Sequence, residues 1–194
     1  MRGIEHIPWL YDALMAIAEA TGLLAWRRWL VADAKGRTLD VGCGTGRNLP
    51  LYEGPVRVFG LDPSWPVLLW ARRRAPLVPL VCGRAEALPF RDGAFDTVVS
   101  GLVFCSVGDP PRALAEIRRV LGPGGRLRML EHVRARGALA ARVQDLLQPA
   151  WTRVTGGCRP NRDTEATVQT CGFVIEPDGR RERSDLRRFS ARPR

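Results

Sequence analysis

Several things are scarce in this chain of 194 residues. No run of about 18 consecutive apolar residues occurs, so nothing reads as a membrane span. The N-terminus lacks the succession of positive head, apolar stretch and small-residue cleavage site, so no secretory signal is expected and a cytoplasmic location is. The five cysteines, at 43, 82, 105, 158 and 171, are odd in number and form no Cys-x-x-Cys pair. They read as reduced thiols rather than a disulfide frame or a zinc site, and no metal is expected. Lysine is almost missing: Lys35 stands alone among 30 Lys and Arg residues, against 20 Asp and Glu, for a net charge of +10. Such a charge reflects either an arginine-biased genome or a surface that favours anionic partners, phospholipid or nucleic acid. There is no internal repeat and no low-complexity segment, and 45% apolar content suffices for one full hydrophobic core.

What is present centres on Leu39-Asp40-Val41-Gly42-Cys43-Gly44-Thr45-Gly46. Thr38 to Val41 reads as a short buried strand, and the three glycines after it form a turn that lets a ligand approach the main chain. A helix is expected from about Arg47, presenting its free N–H groups to the same ligand. The dinucleotide fingerprint would place its third glycine where Arg47 stands, which disfavours a nicotinamide oxidoreductase. Asp40 would repel a pyrophosphate but suits a ligand with an ammonium group. A second strand, Val56 to Leu61, ends at Asp62, 22 residues beyond Asp40, where a carboxylate can accept both hydroxyls of a ribose. Pro63 and Ser64 then open a helix that ends in Arg72-Arg73-Arg74, cations that complement its dipole.

These motifs resemble the class I S-adenosylmethionine-dependent methyltransferases, whose first motif reads acid-x-Gly-x-Gly-x-Gly, and within them the type 11 group. That group includes quinone-biosynthesis and lipid-headgroup enzymes. Cys82-Gly83-Arg84-Ala85-Glu86-Ala87-Leu88-Pro89-Phe90 is similar to the family's Gly-Asp-Ala-Glu-x-Leu-Pro-Phe stretch along the adenine. The departure is Arg84, where an aspartate is usual; backbone groups around Ala85 and Glu86 supply that contact, or affinity is weaker. Ala115 to Gly125 resembles the family's turn after the fourth helix. Phe104-Cys105-Ser106-Val107, Glu131-His132-Val133, the helix bearing Trp151 and Gly157-Cys158 are similar to small thiol methyltransferases and phospholipid N-methyltransferases.

The resemblance implies an α/β fold: a three-layer, Rossmann-like, seven-stranded, mostly parallel sheet with one antiparallel edge strand and helices on both faces. It implies an N-terminal helical cap over residues 1–36 and a methyltransferase domain over 37–194. The implied cofactor is S-adenosyl-L-methionine, with S-adenosyl-L-homocysteine as product. The implied cofactor-binding residues are Tyr11, Asp40, Gly42, Cys43, Gly44, Gly46, Asp62, Pro63, Ala85, Glu86, Gly101 and Leu102. His132, at the end of the fifth strand, is the candidate general base, with Glu131 beside it facing the opposite side and His6 a weaker candidate. A thiol cluster of Cys43, Cys105 and Cys158, as in arsenite methylation, is a minor alternative.

The acceptor is expected to be a small molecule or lipid headgroup of apolar or amphipathic character. A non-catalytic cofactor-binding protein and an RNA or protein methyltransferase are the competing readings. Asp109-Pro110-Pro111 is a helix start rather than a base-methylation motif, and nucleic acid is not expected. Leu23 to Leu30 mixes aromatics with arginines, reading either as a cap over the mouth of the sheet with its arginines in water or as contact with an anionic membrane surface. Strands are expected at Leu77–Val81, Phe95–Ser100 and Arg126–Val133. A closing hairpin is expected to turn at Pro177-Asp178-Gly179, and the arginine-rich tail after Arg187 to fray.

Overall fold

The computed structural model describes residues 7–183 and 185–194, so His6 lies outside the described residues. Helix α1 (Pro8–Ala18) starts on a proline, whose missing N–H is one the first turn leaves unbonded in any case. A π-turn over Glu19–Leu23 follows, with Gly22 at φ +119°, and then α2 (Leu24–Ala32). The remaining elements in order are β1 (Arg37–Val41), β2 (Arg57–Asp62), α3 (Trp65–Arg74), β3 (Leu80–Cys82), β4 (Phe95–Gly101), α4 (Pro110–Val120), β5 (Leu121–His132), α5 (Ala138–Thr155), α6 (Thr164–Thr170), β6 (Phe173–Arg183) and β7 (Leu186–Pro193).

The strands form one seven-stranded sheet in the order β3-β2-β1-β4-β5-β7-β6. β1 to β5 pair in parallel, and β7 runs antiparallel to both β5 and β6, so the one reversed strand lies one position in from that edge. Alternation along the strands fills both faces. Leu39, Val41 and Val98 pack under Leu114 and Ile117 of α4 and Val168 of α6. Val99 and Leu130 point to the other face, against Leu23 of the π-turn and Leu30 of α2, while α3 covers Cys43 and Leu49 through Leu68 and Ala71. The β1–β4 border reverses the order of the strands and opens a crevice at their C-terminal ends.

Several expectations are corrected. No helix follows the glycine turn: Gly46 takes φ +81° and only a 3₁₀ turn, Leu49–Leu51, forms before the chain leaves for β2. A helix dipole therefore does not serve that turn. Gly46 is there for space, since a Cβ would come within 2.9 Å of the Ala71 Cα in α3. Leu77 is 93% exposed, and β3 begins only at Leu80. β5 begins at Leu121, and Pro123-Gly124-Gly125 is absorbed as an irregularity in its pairing with β4.

The closing hairpin does not turn at Pro177-Asp178-Gly179. β6 continues through it as a bulge between Glu176 and Arg181, and Gly179 at φ +73° leaves room for the Trp29 ring. The tail after Arg187 does not fray; it is β7, inside the sheet, with Phe189 and Ala191 fully buried. Nor does Arg27 lie in water: it is 3% exposed. Among the described residues no helix is long and apolar enough to cross a membrane.

These placements set the energetics of two apolar positions apart. Phe189→Ala empties a fully enclosed site and is expected to cost about 3–5 kcal/mol in chemical denaturation. Leu77→Ala should stay within about 0.5 kcal/mol of the parent. Equal effects of the two would contradict the strand assignments.

Candidate functional site

The crevice at the ends of β1, β2 and β4 is a cleft of about 330 Å³. The β1 turn supplies Gly42, Gly44 and Thr45, and the end of β2 supplies Asp62, Pro63 and Ser64. Arg84, Ala85 and Glu86 form a second wall, Leu102 and Val103 with Ser106 to Gly108 a third, and Tyr11 of α1 closes one side. Eight expected residues thus meet there: Tyr11, Gly42, Gly44, Asp62, Pro63, Ala85, Glu86 and Leu102. Asp40, Cys43, Gly46, Gly101 and His132 are not on the cleft wall.

Backbone amides aim the Asp62 carboxylate. Its Oδ2 accepts from Gly44 N–H at 3.0 Å and its Oδ1 from Ser64 N–H at 2.9 Å, so the acid both holds the glycine turn and faces the cleft. Gly42, at φ +66°, lies so close to Val103 that a Cβ would come within 2.5 Å of it. Cys43 is a small filler, packed against Gly60 beneath the turn.

Asp40 is fully buried behind the turn. Its Oδ2 accepts from the Tyr52 hydroxyl at 3.0 Å, while Oδ1 has no hydrogen-bond partner among the described residues. Burial raises its pKa to about 6, against the lowering effect of Tyr52, Asn48 and Arg27 and with help from Asp62. The sign follows from linkage. A carboxyl that ionises near 6 when folded and near 4 when unfolded costs folding about 3 kcal/mol at neutral pH, and nothing below about pH 4. The fold tolerates a charge it would be more stable without.

Glu86 faces the cleft, but its Oε1 accepts from Gly108 N–H at 2.9 Å and so straps two walls together. Burial would raise its pKa, but bonds from its own amide and those of Asp109 and Gly108, with Arg84 nearby, leave it lowered. Arg84 lies on the rim, its Nε 3.7 Å from Glu86 Oε2. Leu102 is a non-glycine residue at φ +63°, a conformation that costs about 1–3 kcal/mol and clusters at functional sites.

Beneath that wall Glu131, also fully buried, accepts from Ser100 Oγ at 2.7 Å and from the amides of Val103 and Phe104 at 2.9 and 3.0 Å. Burial raises its pKa to about 7 against these bonds. His132, at the end of β5, lies instead with Cys105 and Cys158. Burial alone would lower its pKa, but the Cys158 thiol beside it and the nearby Asp185 and Glu131 leave it raised. The expected trio of Cys43, Cys105 and Cys158 does not form; His132 takes the place of Cys43.

Sequence reasoning missed the ionic clamp that fastens α1. Asp12 accepts from Thr45 Oγ1 and from Arg74 Nη2, both at 2.6 Å. Arg47 donates to both carboxylate oxygens of Glu19, and Arg27 Nε lies 2.9 Å from Glu19 Oε1. Arg74 therefore turns from the end of its helix to the β1 turn, donating also to the Thr45 carbonyl. Partners so far apart in sequence leave no local signal. Burial pushes both acids up, but their arginines, with Thr45 at Asp12, hold them below the usual carboxylate range.

Three comparisons bear on this site. Residues 39–129 match the family model of a methyltransferase domain. The chain is 35% identical over 150 residues to a thiol S-methyltransferase of Homo sapiens, covering 73% of this chain and 62% of that one. It is 39% identical over 127 residues to the demethylmenaquinone methyltransferase of Renibacterium salmoninarum, covering 62% and 53%. It is 40% identical over 113 residues to the phosphatidylethanolamine N-methyltransferase of Cereibacter sphaeroides, covering 55% and 56%. The chain thus spans a little over half to about three-fifths of the length of these relatives. Among solved structures, a SAM-dependent methyltransferase from Thermotoga maritima aligns with a TM-score of 0.62 at 25% identity, covering 85% of each chain.

The clamp generates a test. Asp12→Ala should loosen α1, raising amide exchange across Pro8–Ala18 about 5- to 30-fold at pH 7. Because the Asp12 and Glu19 pKa values are depressed, acidification through the carboxylate range should loosen the parent in the same way. Exchange unchanged by either treatment would show that the helix is held by packing alone.

Proposed function

We propose, from the premise that the chain belongs to the class I S-adenosylmethionine-dependent methyltransferases, that it binds S-adenosylmethionine in this cleft and methylates a small apolar or amphipathic acceptor. The observation that carries the reading is the pair of acids around the glycine turn: Asp62 held facing the cleft by two amides, and Asp40 buried behind it with one oxygen unpartnered. An unsatisfied buried carboxylate oxygen is costly, and a ligand ammonium would offset that cost. When bound, the cofactor supplies an electrophilic methyl group on a positively charged sulfur.

The residues then divide the work. Asp62 receives the ribose hydroxyls, Ala85 and Glu86 border the adenine, and Gly42 and Gly44 let the main chain approach. Leu102 and Val103, at the end of β4, shape the part of the cleft where methyl and acceptor meet. Tyr11, held against Arg27 and close to Cys105, closes the site from above and limits water. Much of the catalytic effect would come from holding nucleophile and methyl in line, since fixed orientation can supply about 7–11 kcal/mol.

An amphipathic acceptor is favoured by the apolar side chains that α1 and α5 leave in the open. Trp9 and Ile17 are 62% and 64% exposed, and Leu139, Leu146 and Trp151 are 77%, 80% and 48% exposed. Arginines interleave with these side chains on α5, at 142 and 153, which suits a lipid-bearing substrate delivered from an anionic surface. The segment with the tryptophans of α2 does not serve that role, because Leu23, Leu30 and Val31 are spent on the sheet.

Calorimetric titration with S-adenosylmethionine and S-adenosylhomocysteine, with NADH as control, tests the cofactor. Micromolar binding of the first two alone is expected, and Asp62→Ala should weaken it about 10- to 100-fold, the span of charge-assisted hydrogen bonds. Labelled-methyl transfer to thiols, quinols and phosphatidylethanolamine then tests the acceptor class. Binding of NADH, or no binding of either adenosyl compound, would overturn the reading.

A further inference from the structure

Three side chains outside the cleft wall converge from three separate elements. Cys105 is in the loop after β4, His132 at the end of β5, and Cys158 in the loop after α5. One ligand atom from each lies within 4.8 Å of the other two. Cys105 and Cys158 are 2% and 7% exposed, neither is in a disulfide, and among the described residues the His132 Nδ1 is buried without a hydrogen-bond partner.

The convergence is built by the backbone rather than by chance contact of flexible tips. Arg159 N–H donates to the Cys105 carbonyl at 2.8 Å, and Thr152 Oγ1 donates to the Cys158 carbonyl at the same distance. Arg162 Nη1 donates to the carbonyls of Phe104 and Val107, both at 2.6 Å, so the loop that carries Cys158 is tied to the one that carries Cys105. Glu131, next to His132 in β5, grips the amides of Val103 and Phe104 from below. Each of the three side chains is thus fixed from its own backbone, and the Cys158 sulfur lies between Cys105 and His132, interacting with both.

Two thiols and an imidazole are a soft donor set. With metal–sulfur bonds of about 2.3 Å and metal–nitrogen bonds of about 2.0–2.1 Å, tetrahedral coordination places ligand atoms about 3.5 Å apart. A small inward movement of rotatable thiols reaches that spacing. Hard cations prefer oxygen ligands and would not choose this set. We propose that Cys105, His132 and Cys158 bind one thiophilic divalent cation of the zinc class, leaving the fourth tetrahedral position to water. Binding takes both sulfurs as thiolates and His132 as neutral imidazole, releases to solvent whatever protons the three groups carry, and joins β5, the 102–107 wall of the cleft and the loop after α5 at one point.

Co²⁺ serves as the spectroscopic probe for the reduced, metal-stripped full chain. The expected result is one equivalent per chain, with thiolate-to-cobalt charge-transfer bands and tetrahedral d–d bands, both displaced by Zn²⁺. Cys158→Ser and His132→Ala should each weaken Co²⁺ binding about 100-fold or more, and Cys105→Ser likewise where it folds. Cys82→Ser, at an exposed cysteine elsewhere, should bind as the parent does. Zn²⁺ should raise the melting temperature of the parent and not that of Cys158→Ser. Calorimetry with S-adenosylhomocysteine reports whether each variant keeps its cleft, so failure of the cofactor reading and failure of the metal reading are told apart. Absence of the bands in the parent, their survival in both Cys158→Ser and His132→Ala, or a Cys105–Cys158 disulfide forming in place of metal binding would overturn the proposal.

Discussion

One buried carboxylate constrains this molecule more than any other group. Asp40 lies near the end of β1 where water cannot reach it, with the Tyr52 hydroxyl donating to it and Asn48 close by. A folded protein gains nothing from such a charge, and a pKa raised to about 6 leaves it still mostly ionised at neutral pH. Its surroundings are arranged to make it tolerable. Asn48 is held beside it by Arg27, and Arg27 is held in turn by Glu19 of the lead-in. The glycine turn begins at Gly42, one residue beyond Val41, so the main chain turns toward the cleft close to where the charge is stored. On the proposed reading, fold stability and ligand recognition would meet at this position with opposite signs.

Arginine makes that arrangement possible, and the same side chain recurs as a tie elsewhere in the fold. Arg128, 2% exposed, stacks on the Trp29 ring at 4.3 Å and donates to the Leu30 carbonyl and to Asp33. Arg188 lies over Trp26 and Trp29, and Arg119 bridges Glu116, Asp92 and the carbonyls of Leu88 and Phe90. Each task uses a planar, multiply donating cation, which lysine cannot supply. These arginines are structural, but most of the others lie exposed, so the +10 charge is carried mainly at the surface.

What the sequence made legible and what it hid divide along a physical line. Strands β1, β2 and β4, the glycine turn and Asp62 were readable because each is encoded within a few neighbouring residues. The helix expected after the turn was not formed, since Gly46 answers to Ala71 of α3 rather than to its own neighbours. The β6–β7 pair was misread for the same reason: Pro177 and Gly179 look like a turn, yet Trp29, from the far end of the chain, makes them a bulge. At the site, the residues lining the cleft were largely visible in the motifs. The α1 clamp and the place of His132 beside Cys105 and Cys158 were not, because partners far apart in sequence, such as Asp12 and Thr45 at a separation of 33, carry no periodicity.

The central claim, that the fold stores an unsatisfied carboxylate for a cationic ligand, is tested most directly at Asp40 itself. Carbon-13 NMR titration of the side-chain carboxyl, with Asp40→Asn to assign the signal, would follow its ionisation without ligand and with S-adenosylhomocysteine, whose ammonium group is the expected partner. The account predicts a midpoint near 6 in the free protein and a fall toward the ordinary carboxylate range on binding. An Asp40 that titrates in the ordinary range when free, or whose midpoint is unmoved by bound ligand, would contradict it.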